Sequence, residues 1–436
     1  MATETKNRPP LLPLPDGVTE TVGIPADGGI VRRKDGTSML LQGGGVHDTG
    51  IKQGSVIRTS KDGGKTWSDP QPFACPIGIG GVVRLSSGAL AIFGKKTEAD
   101  ADPFAYYSST SSDDGASWSD PVLISRYPNY RPMHHSLVQL SSGRLLLTGY
   151  WEGLNGHHPD LERYTRTGWG LWRGKVIFME GHRGVEMGIC VTFYSDDEGK
   201  SWTQSPGGVF GWFDRWGEPN GQDGIVDLYE PNSAETADGR VLMFSRSKTG
   251  RLVQSFSHDM GTTWNSAQPT ELASSQSPAL LIRIPTSGDL LCVWNHVSAE
   301  EVRRGMLRNR LSAAVSPDNA TSWVNFRTIE RSGGVAAVDY VAPESPIARR
   351  IVARPSIGVL PDGFAMFTYP NVDIIDETVF IRYARMWPRF KQDATVTARD
   401  PNLPLMWPRY EEREAEMTGE GVLRAYPLSW FYEGSA

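Results

Sequence analysis

Cysteine is nearly absent from this 436-residue chain: Cys75, Cys190 and Cys292 stand far apart. An odd, scattered set excludes a disulfide framework and a thiolate zinc site as organising devices. Long apolar runs are missing too, which removes any helical membrane span from the reading. Charge of one sign is not in excess: 44 Lys and Arg face 50 Asp and Glu, a net of −6. That balance carries no footprint for nucleic acid. The opening Met-Ala-Thr-Glu-Thr-Lys-Asn-Arg-Pro-Pro has no apolar core of a signal peptide. The expectation is a cytoplasmic protein if that Met is native, and a secreted or periplasmic one if a signal has been removed. What the chain does have is glycine, 47 residues, and tryptophan, 14 residues, a composition suited to a turn-rich β protein.

The tryptophans mark a repeat. Ser60-Lys-Asp62-Gly-Gly64-Lys-Thr66-Trp67 returns as Ser111 to Trp118, Ser195 to Trp202 and Ser257 to Trp264, with a worn copy from Ser316 to Trp323. The pattern S-x-D-x-G-x-[TS]-W specifies a turn. Ser and Asp cap backbone N–H groups, Gly supplies a positive φ and Trp packs beneath. Repetition of this kind indicates a solenoid, propeller or array. Ahead of the boxes run apolar hairpins with turn glycines at Gly36, Gly88, Gly143, Gly239, Gly288 and Gly363. Six four-stranded units predict an all-β, six-bladed β-propeller over residues 27–390. The blades fall near 27–73, 78–124, 133–207, 229–272, 276–330 and 353–390. The last blade lacks a box, and Tyr383-Ala-Arg-Met-Trp387 stands in its place. Residues 1–26 are a lead-in, and 391–436 a tail that packs on the propeller or closes it. Insertions near 150–186 and 208–227 interrupt the rhythm, as loops carrying a site do.

The first strand of each blade lines the central channel and opens on its binding face. Nine residues before the turn glycines stand Asp27, Ile79, His134, Glu230, Ala279 and Arg354; seven after them stand Gly43, Lys95, Tyr150, Arg246, Asn295 and Pro370. Charges of both signs and a histidine therefore converge on one mouth, the pattern of a ligand site. Arg246, Arg308 and Arg354 are candidate clamps for a carboxylate or sulfate. Lys95, Arg131 and Asn295 join them as substrate-binding candidates. Strand alternation lets only one of His134 and His135 face the channel, and the spacing selects His134. Its imidazole is a candidate acid or base, Glu230 a candidate base. His157-His158-Pro-Asp160 resembles a metal cluster, but adjacent loop histidines are poor ligands, so no metal and no cofactor are expected. Trp169, Trp172 and Trp212 are candidate sugar-stacking platforms.

Boxes and blades together resemble the sialidase superfamily, the Asp-box or BNR-repeat proteins. That resemblance implies a Glu and an Arg spaced as in Glu230 to Arg246, and a further arginine at Arg308, eight residues before Ser316. It implies an acid at Asp48, in His47-Asp48-Thr-Gly50. Two departures stand out. Gly23-Ile24-Pro25 replaces a segment that ordinarily carries an arginine, and Arg354 takes the place aligned with the nucleophilic tyrosine. The expectation is thus a glycoside hydrolase for a glycan with an acidic, carboxylated sugar, lacking that tyrosine, with Asp48 and Glu230 as the acid–base pair. Simple sialosides would then be poor substrates. The alternatives are a polysaccharide lyase cleaving at a uronate, with His134 and Tyr150 as base and acid, and a non-catalytic glycan-binding propeller. The expected partner is an oligosaccharide or polysaccharide, with no nucleic acid and no membrane; the oligomeric state is left open.

Overall fold

Turn boxes and hairpins assemble into six antiparallel four-stranded sheets arranged as a ring, a six-bladed β-propeller. The computed structural model describes residues 11–43, 54–96, 101–102, 105–126, 131–151, 167–172, 175–180, 188–213, 224–226, 228–303, 306–344, 365–390 and 415–433. The innermost strands of blades one to five are Gly29–Arg32, Gly81–Arg84, Arg131–Gln139, Tyr229–Glu235 and Ala279–Arg283. Each touches the inner strand of the next blade, and the ring closes through Met366–Ile375 of blade six onto blade one. The second strands Leu90-Ala-Ile-Phe-Gly94 and Leu290-Leu-Cys-Val-Trp294 are apolar without alternation and are buried throughout. They are covered on both faces by neighbouring blades, so no polar face is required. The insertions contain two small hairpins, Thr167–Trp172 with Lys175–Glu180 and Gly211–Phe213 with Gly224–Val226.

Blade six differs from the sequence expectation. Its sheet runs Met366–Ile375, Thr378–Phe390, Ala415–Pro427, Thr19–Val22, so the last strands come from the tail and from the N-terminal segment. The expected hairpin around Gly363 lies outside the described residues. The tight turn that joins the first two strands is Asp376-Glu377, where Asp376 takes φ 52° in place of a glycine. Residues 383–387 do not form a box; they lie within a strand paired residue for residue to 418–422. The N-terminal strand is locked in by buried charge. Glu20 accepts hydrogen bonds from Arg385 (2.9 Å) and Arg424 (2.7 Å), and blade five contributes Glu330 to the same cluster.

Each box is a closed hydrogen-bond cage. In the third, Gly199 N donates to Ser195 Oγ (2.8 Å), while Ser201 N and Oγ donate to the two Asp197 oxygens (2.9 and 2.6 Å). Two successive residues, Glu198 and Gly199, are left-handed, and the Gly199 N–H points into the box. All five box tryptophans are half-buried, and they clamp neighbouring blades. Trp202 Nε1 donates to Ser108 in blade two (2.8 Å), Trp264 Nε1 to Thr192 in blade three (3.2 Å), and Trp67 meets Phe380 of blade six edge to face.

The boxes make stability acid-sensitive. The Ser117 hydroxyl bound to Asp113, and the Ser201 hydroxyl bound to Asp197, hold both carboxyls down to about 2. In the unfolded chain they titrate near about 4. Their contribution is therefore complete above about pH 4 and is lost as pH falls through 2. The denaturant midpoint should fall steeply across that interval. Asp113→Asn with Asp197→Asn should lower the midpoint at neutral pH and flatten the acid limb; an unchanged acid limb would show that the boxes are not its source.

Candidate active site at the channel mouth

Blade four supplies the centre of the site. Its inner strand slips register between Tyr229 and Asn232, opposite Phe244 to Arg246. The bulge puts Glu230 in the left-handed region at φ 45°, a conformation that costs a non-glycine residue roughly 1–2 kcal/mol. Strain of this sort is concentrated at functional positions. The Glu230 carboxylate accepts a hydrogen bond from Arg246 Nη1, at the end of the adjacent strand, and both are largely buried. Burial alone would lower the Arg246 value. The Glu230 carboxylate and the phenols of Tyr369 and Tyr150 outweigh it and hold the guanidinium firmly charged.

Blade six repeats the same device. Its inner strand slips between Thr368 and Asn371, and Tyr369 takes φ 51°. Tyr369-Pro370-Asn371 thus stands in blade six where Glu230-Pro231-Asn232 stands in blade four. Tyr369 is 45% exposed at the mouth, and the Arg308 guanidinium, almost fully buried, lies 4.9 Å from its ring centroid. That cation–π contact holds the ring in place while the phenol meets solvent. Arg308 is held in turn by backbone: its carbonyl accepts from Phe367 N at 2.7 Å. A tyrosine therefore stands exposed at this mouth, on the strand that follows the segment carrying Arg354. Arg354, the position aligned with the nucleophilic tyrosine, lies outside the described residues together with the segment around Gly363. The repeated tripeptide was a usable signal in the sequence.

The remaining candidates separate. Tyr150 is 4% exposed and sits edge-on to Tyr229 (6.1 Å, 89°), in the floor of the site and not at its surface. Asn295 is fully buried. Its amide donates to Phe367 O (2.9 Å) and Arg310 O (3.2 Å), stitching blade five to blade six, so it is a structural residue and not a ligand contact. Lys95 is exposed at the end of its strand, its ammonium 5.1 Å above the Tyr106 ring. Arg131 opens the inner strand of blade three opposite Tyr150.

His134 is exposed, as the spacing predicts, but alternation does not separate it from His135. The inner strand of blade three leaves its ladder between Pro132 and Leu137, and His135 takes φ 61°. His135 consequently turns into the channel too, and its Nδ1 lies 2.7 Å from Asn371 Nδ2 of blade six. Periodicity could not reveal this, because a bulge abolishes it. Gly23-Ile24-Pro25 brings no cation to the mouth; Ile24 is buried and Gly23 N donates to Gly421 O (2.8 Å). Asp48, His157, His158 and Asp160 lie outside the described residues, and of Trp169, Trp172 and Trp212 only the backbone is described. Among the described residues no cluster of three potential metal ligands occurs.

A family model described as a BNR repeat-like domain matches residues 76–380. A crystal structure of a protein of unknown function from Dyadobacter fermentans DSM 18053 is similar at a TM-score of 0.51 and 16% identity, covering 94% of this chain and 99% of that one. Trypanosoma rangeli sialidase, in complex with the inhibitor DANA, is similar at 0.45 and 13% identity, over 94% of this chain and 55% of the other. The NanB sialidase from Streptococcus pneumoniae gives 0.46 and 12%, over 84% and 65%. The chain thus spans between half and two thirds of the length of those two sialidases. No curated protein matches the chain in sequence.

Proposed function

The chain belongs to the family of BNR repeat-like domains, and on that premise we propose that it is a retaining glycoside hydrolase for a sugar whose anomeric carbon bears a carboxylate. One observation carries this reading. Tyr369, exposed and strained, sits over Arg308 at the mouth that also holds the Glu230–Arg246 pair. Arg246 and Arg308 offer the forked donors that match a carboxylate. A neutral phenol suits this sugar as nucleophile, because an anionic one would be repelled by the substrate's own charge.

In the first step Tyr369 Oη attacks the anomeric carbon and gives its proton to Glu230. The bond to the leaving oxygen breaks, and that oxygen takes the proton of Asp48, the acid implied by the sequence. In the second step water loses a proton to Asp48 and displaces the phenol, which recovers its proton from Glu230. The burial of Tyr150 favours hydrolysis over elimination, since a buried phenol does not meet the substrate as an acid. The paired strained residues favour catalysis over simple glycan binding.

Arg246→Ala tests the reading. Truncating one partner of a buried ion pair costs roughly 2–5 kcal/mol. Binding of an acidic aryl glycoside should fall by that amount, and binding of the neutral glycoside much less. Equal losses for the two substrates would contradict the carboxylate clamp, and an ultraviolet-absorbing unsaturated product would point to elimination.

A further inference from the structure

Glu230 and Tyr369 come from blades that are not neighbours, and a single residue, His135, connects their strands through its carbonyl and its ring. Each is followed by proline and then asparagine. Asn232 donates its amide to the carbonyl of His135 in blade three (2.9 Å) and accepts from Leu281 N in blade five (2.8 Å). Asn371 places its amide nitrogen 2.7 Å from His135 Nδ1 and 2.8 Å from Gly28 O in blade one. The His135 backbone N–H reaches Gly80 O in blade two (2.8 Å). Through one residue and two asparagines, all six blades are tied together beneath the site. His135 accepts the left-handed conformation, φ 61°, in which it spans them.

We propose that His135 is the positioning residue that fixes the distance between Glu230 and Tyr369, through Asn232 on one side and Asn371 on the other. This rests on the glycosidase reading of the same site. The tautomer follows from the donors. Asn371 Nδ2, 2.7 Å away, can only donate to Nδ1, which assigns the ring proton to Nε2; Nδ1 also lies 3.2 Å from Gly28 O, the contact that the opposite tautomer would use. The Arg382 guanidinium also donates to Gly28 O (3.1 Å), to Asp27 O (2.7 Å) and to Asp373 (2.8 Å), so this side of the bridge is anchored to a buried ion pair. A misplacement of about 1 Å at reacting groups costs on the order of 100-fold in rate. A positioning bridge therefore acts on kcat, whereas the anion clamp is built from other residues.

His135→Leu keeps the bulk and removes the acceptor; His135→Asn puts an acceptor the same number of bonds from the backbone and tolerates the left-handed conformation. With an acidic aryl glycoside, His135→Leu should lower kcat by about 10–100-fold with KM changed less than about twofold. His135→Asn should restore most of the loss. An unchanged kcat, or equal changes in kcat and KM with no rescue, would overturn the proposal. A second arm does not depend on turnover. Imidazole nitrogen NMR of the wild type should show Nε2 protonated and Nδ1 bare, with the Nδ1 signal moved by Asn371→Ala, and a crystal structure of His135→Leu should show Glu230 and Tyr369 shifted relative to one another. A protonated Nδ1, or an unshifted pair, would refute the bridge. If no acidic glycoside is turned over by the wild type, the hydrolase reading fails by itself and this second arm decides the bridge.

Discussion

Replacing Tyr369 by Phe should lower kcat on an acidic aryl glycoside by at least about 1,000-fold while leaving substrate affinity within a few fold. The substitution is narrow. Phe keeps the ring over Arg308, 4.9 Å from centroid to guanidinium carbon, and leaves the backbone bulge between Thr368 and Asn371 unaltered in sequence on either side. Only the oxygen that would bond to the sugar is lost. Tyr369 is exposed, so its removal leaves no buried partner unsatisfied and stability should barely change. A variant that retained more than about a tenth of the activity would exclude Tyr369 as the nucleophile. Separating kcat from KM is essential, because loss of the anion clamp acts mainly on binding.

Glu330→Gln should cost about 3–5 kcal/mol of unfolding free energy, the penalty for breaking a buried ion pair from one side. Glu330 is fully buried. It accepts from the Tyr383 hydroxyl and from Arg385 Nε (2.9 Å) and Nη2 (3.1 Å), and lies 3.4 Å from Arg424. Both guanidiniums also serve Glu20, so the cluster fastens the N-terminal strand and the C-terminal strand of blade six to blade five. The Gln amide keeps the shape but removes a charge that two buried cations need. Burial pushes the Tyr383 phenol well above its ordinary value, and the Glu330 carboxylate adds to the shift, so the phenol remains a proton donor to that carboxylate. Urea unfolding followed by tryptophan fluorescence measures the cost. A loss below about 1 kcal/mol would mean that the seam is held by backbone pairing alone.

The turn boxes were fully legible in the sequence because each is local: cap, turn and anchor lie within eight residues, as in Ser195 to Trp202. Blade six was only partly legible for the opposite reason: a tail that packs on or closes the propeller is expected, but its place as a strand, and the N-terminal strand beside it, are not. Its third strand, Ala415–Pro427, arrives from the tail and its fourth, Thr19–Val22, from the other end of the chain, and no repeat period records a pairing such as Glu20 with Arg424. Among the described residues its hairpin turns on Asp376, which carries no glycine signal. Equivalence of position located Glu230 and Arg246, but it reports polarity and not burial. Asn295 therefore looked like Arg246 while serving as an internal stitch. His135 was passed over because alternation holds only while a strand stays in its ladder.

Covalent trapping tests the hydrolase mechanism most directly. The protein would be incubated with a fluorinated glycosyl fluoride of a carboxylated sugar, in which fluorine beside the anomeric carbon slows the second step, and then digested for peptide mass spectrometry. The mechanism predicts one added glycosyl unit, on the peptide that carries Tyr369 and absent from Tyr369→Phe. An adduct on Glu230 or Asp48, or release of an unsaturated sugar with no adduct, would contradict it.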